Sequence, residues 1–316
     1  MDTTWPNGHK FAFTIFDDTD WATIDKVKPV YDYLTDLGMR STKSVWMFRG
    51  HGPPRNGGMT CEDVEYLEWV LSLKKKGFEI GLHNAAPATS HREMTREALG
   101  RFAEVFGNQP ICHANHVGCL DNIYWGEARL SGWRHLVYNI LTRGRRKNIS
   151  KGQIVGDSHF WGDLCQERVR YVRNFVFDNL NSLGVCPEMP YHDPAKPYVN
   201  FWFTSADGGT LRDFQKNFTI ENIDQLVSEG GLCIAYVHFA ERFTQDGKVN
   251  PELRKRLAYI VSKNGWFAPV SEILDYIRSN GNRVDREISP TNLGNLEARW
   301  LSRKWISQVS RKLTNN

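Results

Sequence analysis

Apolar, β-branched runs alternate with helically spaced ones along most of the 316 residues, and this alternation restricts the fold more than any other feature. Residues 10–16 (KFAFTIF) are apolar on both faces, as a strand covered on both sides must be. Residues 24–38 then carry Val27, Val30, Tyr31, Leu34 and Leu37 at helical spacing, with Gly38 placed to end the helix. The same strand-then-helix pattern returns at 41–48 and 61–76, at 78–83 and 90–106, and at 232–238 and 251–263. A last short strand at 266–268 precedes a helix at 270–279. Short strands are expected at 110–115, 171–177 and 199–205, and a further helix at 221–229. The sequence therefore predicts an α/β fold with a mostly parallel sheet.

Seven or eight such units at this length favour a barrel over an open doubly wound sheet. No Gly-x-Gly-x-x-Gly follows the first strand, so a dinucleotide site is not expected. Residues 116–168 form a long irregular insertion after the fourth strand. Hydrophobic residues make up 41% of the chain, ample for a large core, which excludes disorder as the main state. Residues 1–282 are read as one barrel domain and 283–316 as a basic tail. That tail holds seven basic groups against three acidic ones, which accounts for the whole net charge of +4. A neutral barrel argues against general nucleic-acid binding.

In parallel barrels, catalytic groups gather where the strands end. Asp17 and Asp18 follow the first strand, His83 the third, Asn115 and His116 the fourth, Asp207 the sixth run, and His238 the seventh. Carboxylates and imidazoles converging on one rim can hold a Zn²⁺-type ion and leave groups over for acid–base work.

At these residues the chain resembles the polysaccharide deacetylases with the NodB-homology domain. Thr14-Ile15-Phe16-Asp17-Asp18-Thr19 is similar to the family's first motif, Thr-Phe-Asp-Asp-Gly. The segment from Gly81 through His83 to His91 stands where the second motif lies, and Cys233–Ile234–Ala235–Tyr236–Val237–His238 resembles the last. The resemblance implies an irregular (β/α)7–8 barrel and metal-dependent hydrolysis of an N-acyl group, most simply N-acetyl on an amino sugar. Asp17 is then the general base and His238 the general acid. Asp18 and His83 bind the metal, with His91 or His116 as the third protein ligand.

Three departures stand out. Thr19 replaces the usual Gly. His83 and His91 lie eight apart rather than four. His113-Ala114-Asn115-His116 occupies the place of an Arg that tunes the base. These departures keep two alternatives open: a non-catalytic glycan-binding or assembly protein on a degenerate barrel, and a hydrolase of another amide C–N bond.

Asn115, Trp125 and Asp207 are candidate substrate contacts, for a free or lipid-linked glycan of bacterial surface-polysaccharide synthesis. Trp21, Trp46, Trp161 and Trp202 also fall near the rim, where aromatic faces suit sugar rings. The cationic run 134–151 (Arg134, Arg143, Arg145, Arg146, Lys147, Lys151) contains no acid and reads either as a solvated loop or as a site for an anionic glycan or phosphate-bearing carrier. In the tail, Leu296, Trp300, Trp305 and Val309 mix with Arg299, Arg303, Lys304, Arg311 and Lys312, a composition of membrane-surface helices. Docking on the barrel or on a second copy is the competing reading. Six scattered Cys with no C-x-x-C pair suggest buried thiols. Residues 1–10 show no secretory signal pattern, and no apolar run approaches the ~20 residues of a membrane span. A cytoplasmic protein is the expectation, with the tail as its candidate contact to the inner membrane surface.

Overall fold

Seven parallel strands close into a barrel: β1 (Phe11–Asp17), β2 (Thr42–Val45), β3 (Glu79–Leu82), β4 (Cys112–His113), β5 (Tyr171–Phe177), β6 (Phe201–Gly208) and β7 (Leu232–Val237). This computed structural model describes residues 5–145, 147–280 and 286–314, with side chains through Ile306 in the final helix. Arg146, Arg283 and Asp285, and the side chains of Val309, Arg311 and Lys312, lie outside the described residues. Each strand pairs with its sequence neighbour, and β7 returns to β1 with Ala12 opposite Leu232 and Asp17 opposite Val237. A small hairpin, β8 (Thr244–Gln245) and β9 (Lys248–Val249), follows β7.

The barrel is irregular at β1. One edge of this strand is shared: β10 (Gly265–Trp266) pairs with Phe11 and Ala12, while β2 pairs with Phe16 and Asp17. All seven residues of β1 are buried, which explains its unbroken apolar run.

Helices cover the outside. They are α1 (Ile24–Asp36), α2 (Val64–Lys75), α3 (Arg92–Phe106), α4 (Arg134–Leu141), α5 (Gly162–Arg168), α6 (Ser182–Val185), α7 (Leu211–Asn217), α8 (Ile220–Ser228), α9 (Pro251–Val261), α10 (Val270–Asn280) and α11 (Pro290–Thr314). The expected helices stand within a few residues of their sequence limits. The chief addition is α7, directly after β6, and the expected helical tail is one long helix that starts at Pro290. Thr210 caps α7 by accepting from the Asp213 amide, a local signal in Thr-x-x-Asp. All six Cys are free and buried.

The tail packs on the barrel. Leu293, Leu296, Trp300 and Leu301 are buried, and the Trp300 ring lies 5.4 Å from Tyr138 of α4 and 5.3 Å from Phe175 of β5. Glu297 is fully buried and accepts from the Ser131 amide at 3.0 Å. Among the described residues, no helix is long and apolar enough to cross a membrane. Trp300→Ala should destabilise the protein by about 4 kcal/mol, because it removes a large buried ring packed on Tyr138 and Phe175. Urea unfolding checks this, and a loss below about 1 kcal/mol would mean that α11 is not part of the core.

Candidate active site

The end of β1 carries three carboxylates in four residues, and strand geometry separates them. Successive side chains of a strand point to opposite faces. Asp17 turns outward, where it meets Lys43 of β2 at 3.0 Å, Tyr31 Oη of α1 at 3.0 Å and the Phe239 amide at 2.9 Å. Asp18 turns inward with Phe16. Both of its oxygens accept from Arg173 of β5, at 2.8 and 2.5 Å. Asp20 lies beyond the strand, where its carboxylate meets two imidazoles and accepts from Asn56 Nδ2 at 3.0 Å.

These three environments set the charges. Burial alone would raise the Asp18 carboxyl, but the charge and hydrogen bonds of Arg173, with help from His83, hold it below the usual range. Asp20 follows the same logic: hydrogen bonds from His116 and His83 outweigh its burial and hold it far below the usual range. Burial would likewise discharge Lys43, but Asp17 reverses that and raises its pKa.

Asp20, His83 and His116 form a compact, buried cluster. Its closest atoms are His83 Nε2 to Asp20 Oδ2 at 3.0 Å, His83 Nε2 to His116 Nδ1 at 3.1 Å, and His116 Nδ1 to Asp20 Oδ1 at 3.3 Å. Ligand atoms about 2.0–2.1 Å from a tetrahedral zinc are themselves about 3.4 Å apart, so this triangle has the right size for one such ion. The donor set also fits: two imidazole nitrogens face one another across the carboxylate, an arrangement that a cation satisfies. Trp46 packs beneath both rings, 5.1 Å from His116 and 5.8 Å from His83.

His238 stands beside the cluster at the end of β7, its Nε2 3.5 Å from Asp20. Its Nδ1 is 2.8 Å from the Gly209 carbonyl, which can only accept, so Nδ1 carries a proton. Nε2 is then the nitrogen free to gain or release one, and Tyr236 Oη lies 3.2 Å from it. Trp21 meets the His238 ring edge-on at 5.6 Å and adopts a left-handed backbone with φ of 55°.

A cleft of about 500 Å³ opens above these groups. Asp18, Asp20, His83, Arg173 and His238 line it together with Trp300, Arg303 and Lys304 of α11. Asn115, Trp125 and Asp207 all lie on its wall. The Asn115 side chain is itself occupied, since it both donates to and accepts from the Ile123 backbone. Asp207 accepts from the Gly209 amide at 3.1 Å and pairs with Arg303.

The structure corrects several expectations. Asp17, expected as the base, faces Lys43 and lies off the cleft wall, because strand parity turns it toward α1. Asp18, expected as a metal ligand, pairs through both oxygens with Arg173; Asp20 is the carboxylate that meets His83 and His116, while Asp18, Asp20 and His238 form a second, adjacent group of possible ligands. His91 sits at the start of α3 with its ring stacked on His159 at 4.9 Å, away from the cluster, and His116 stands with His83 instead. A guanidinium does reach a carboxylate after β1, but from the fifth strand, as Arg173 on Asp18.

Trp46 packs under the imidazoles, and Trp161 and Trp202 are buried, so of the expected rim tryptophans only Trp21 and Trp125 reach the cleft. Asp20, Lys43 and Arg173 were missed. The available signal was a lone cation within each of two otherwise strand-like runs, TKSV and YVRNFVF.

Comparisons with known proteins bear on the fold. No family model matches the chain, and no curated protein matches it. Two solved structures share its fold, both described as polysaccharide deacetylases. The one from Mycobacterium smegmatis is 13% identical with a TM-score of 0.50, the match covering 91% of this chain and 96% of that one. The one from Pseudomonas aeruginosa PAO1 is also 13% identical with a TM-score of 0.50, covering 87% and 93%.

Asp17→Asn should cost about 3–5 kcal/mol by stranding the buried Lys43 charge. Adding Lys43→Met should recover a large part of that loss. Equal losses in the single and double variants, measured by denaturant unfolding, would show that the two groups do not depend on one another.

Proposed function

We propose that this chain is a metal-dependent N-deacetylase acting on an amino sugar of a bacterial surface glycan. The observation that carries this reading is the placement of an arginine-paired carboxylate, Asp18, and an imidazole, His238, together beside the Asp20–His83–His116 cluster, with ligand atoms of Asp18, Asp20 and His238 all within 4.8 Å of one another. Amide hydrolysis needs those two groups, one to take a proton from water and one to protonate the departing nitrogen. The shared fold with two deacetylase structures agrees with it.

Asp20, His83 and His116 would hold the cation. Their mixed oxygen and nitrogen donors suit Zn²⁺ best. When bound, such an ion supplies Lewis acidity to the acyl carbonyl and makes a water molecule more acidic.

The chain's own residues then divide the proton work. Asp18 is kept ionised by Arg173 and receives the proton of the attacking water. Arg173 lies 4.4 Å from the Tyr236 ring and 5.1 Å from the Phe16 ring, which fix its plane and hold Asp18 in one orientation. His238 delivers a proton from Nε2 to the amine, while the Gly209 carbonyl holds the ring by its other nitrogen. Trp21 and Trp125 offer apolar faces to the sugar ring. The arginine on Asp18 also speaks against one of the two motives for a degenerate, non-catalytic barrel.

The test is acetate release from N-acetylated oligosaccharides by the purified protein. Chelation should abolish release, and Zn²⁺ should restore it. Asp18→Asn should lower the rate by about 10²–10⁴-fold with metal content unchanged, whereas Asp20→Ala should lose the metal as well. Full turnover by Asp18→Asn would overturn the assignment of the base. Arg173→Met should shift the acidic limb of kcat/KM to higher pH, since the carboxyl that must be ionised then loses the charge holding its pKa down. An unmoved limb would show that Asp18 does not control it. Arg303 and Trp300 wall the cleft, so deleting residues 283–316 is expected to reduce turnover, not merely location.

A further inference from the structure

The exposed apolar surface of this protein is concentrated around α4. Trp133, Leu136 and Ile140 are 64%, 55% and 77% exposed. They are spaced three and four apart, so they form one stripe along the outer side of the helix. The opposite side is engaged: Tyr138 packs on Trp300, and Tyr138, Leu141 and Thr142 line the cleft. Nothing in the fold requires the outer stripe to be apolar, since a solvated helix face is ordinarily polar.

Immediately after α4, the chain exposes Arg143, Arg145 and Lys147. Residues 128–156 contain no Asp or Glu. Trp305 and Ile306 of α11, the helix that packs on α4, add 60% and 62% exposed apolar side chains. Aromatic and aliphatic side chains on one face with cations at the flank are the composition that binds the interface of an anionic bilayer.

We propose that α4 and the basic loop after it dock on an anionic lipid surface, with the stripe inserted among the headgroups and Arg143, Arg145 and Lys147 on their phosphates. Charge favours an anionic surface over a second copy as the occupant. A two-fold contact would set this patch against itself and bring it the same cations, with no anionic group from residues 128–156 to meet them. The helix lies on the surface and does not span it. Because α4 forms both the docking stripe and a wall of the cleft, docking sets the active site at the lipid surface, where a lipid-linked substrate is held. That last consequence rests on the deacetylase reading; the docking does not.

The experiment is sedimentation of the full chain with phosphatidylcholine vesicles, with and without phosphatidylglycerol, at low and high salt. Binding is expected only with the anionic lipid and should weaken with salt. Trp133→Ser/Leu136→Ser/Ile140→Ser and, separately, Arg143→Gln/Arg145→Gln/Lys147→Gln should each weaken it by about tenfold or more. Acetate release from a soluble substrate should stay unchanged in both variants. No binding to anionic vesicles, binding that neither variant weakens, or a dimer in light scattering that the apolar variant dissolves would overturn the proposal. Loss of deacetylase activity with binding intact would instead refute only the functional reading.

Discussion

The return of β7 to β1 is the constraint from which the site follows. It sets Asp17 opposite Val237 and so brings the carboxylates after β1 beside His238, more than two hundred residues later in the chain. The ladder runs one residue further, with the Asp18 amide donating to the Val237 carbonyl at 2.9 Å. Asp17, Asp18 and the start of the segment that carries His238 are therefore fixed by backbone pairing, while Asp20 follows in the turn just beyond it. That rigidity is what acid–base chemistry needs, because the reacting atoms must be held to within a fraction of an ångström.

Placing three carboxylates so close together would be costly if they shared one environment. Each instead has a separate partner: Lys43 for Asp17, Arg173 for Asp18, and the two imidazoles for Asp20. Strand parity does the sorting. The outward charge also has a positioning effect, because Asp17 accepts from the amide of Phe239, the residue after His238. Its ion pair with Lys43 thus ties α1, β2 and the end of β7 together. Arg173 needs a further device. The β5–β6 pairing shifts register between Arg173 and Val176, and this irregularity sits next to the guanidinium that reaches Asp18.

The alternation of strands and helices was legible, and with it the barrel, the rim and the convergence of His83, His116 and His238. The division of labour among the carboxylates was not. A strand covered on both faces is apolar at every position, so its sequence carries no period-2 signal to tell inward from outward. Two adjacent Asp after such a strand can be read in either phase. The turn at Thr19 then carries the next carboxylate, Asp20, to the imidazoles, which only the folded loop reveals. Arg173 was hidden for a similar reason: β5 follows the long insertion, and a cation within YVRNFVF gives no sign of which strand it will face. His91 drew attention by sequence proximity to His83, whereas His116 reaches the cluster from the neighbouring strand.

The charge of the tail also changes meaning once the fold is known. Counted along the chain, the excess of +4 lies wholly in residues 283–316. In space, Arg303 of that tail pairs with Asp178 at 2.6 Å and with Asp207, two carboxylates of the barrel. The barrel is thus neutral by count, yet it spends two acidic groups on the tail. The stretch 128–156 contains no acid of its own and exposes Arg143, Arg145 and Lys147. A linear charge count located the imbalance in the segment that supplies it, whereas the field that a partner meets depends on which cations the fold leaves at the surface.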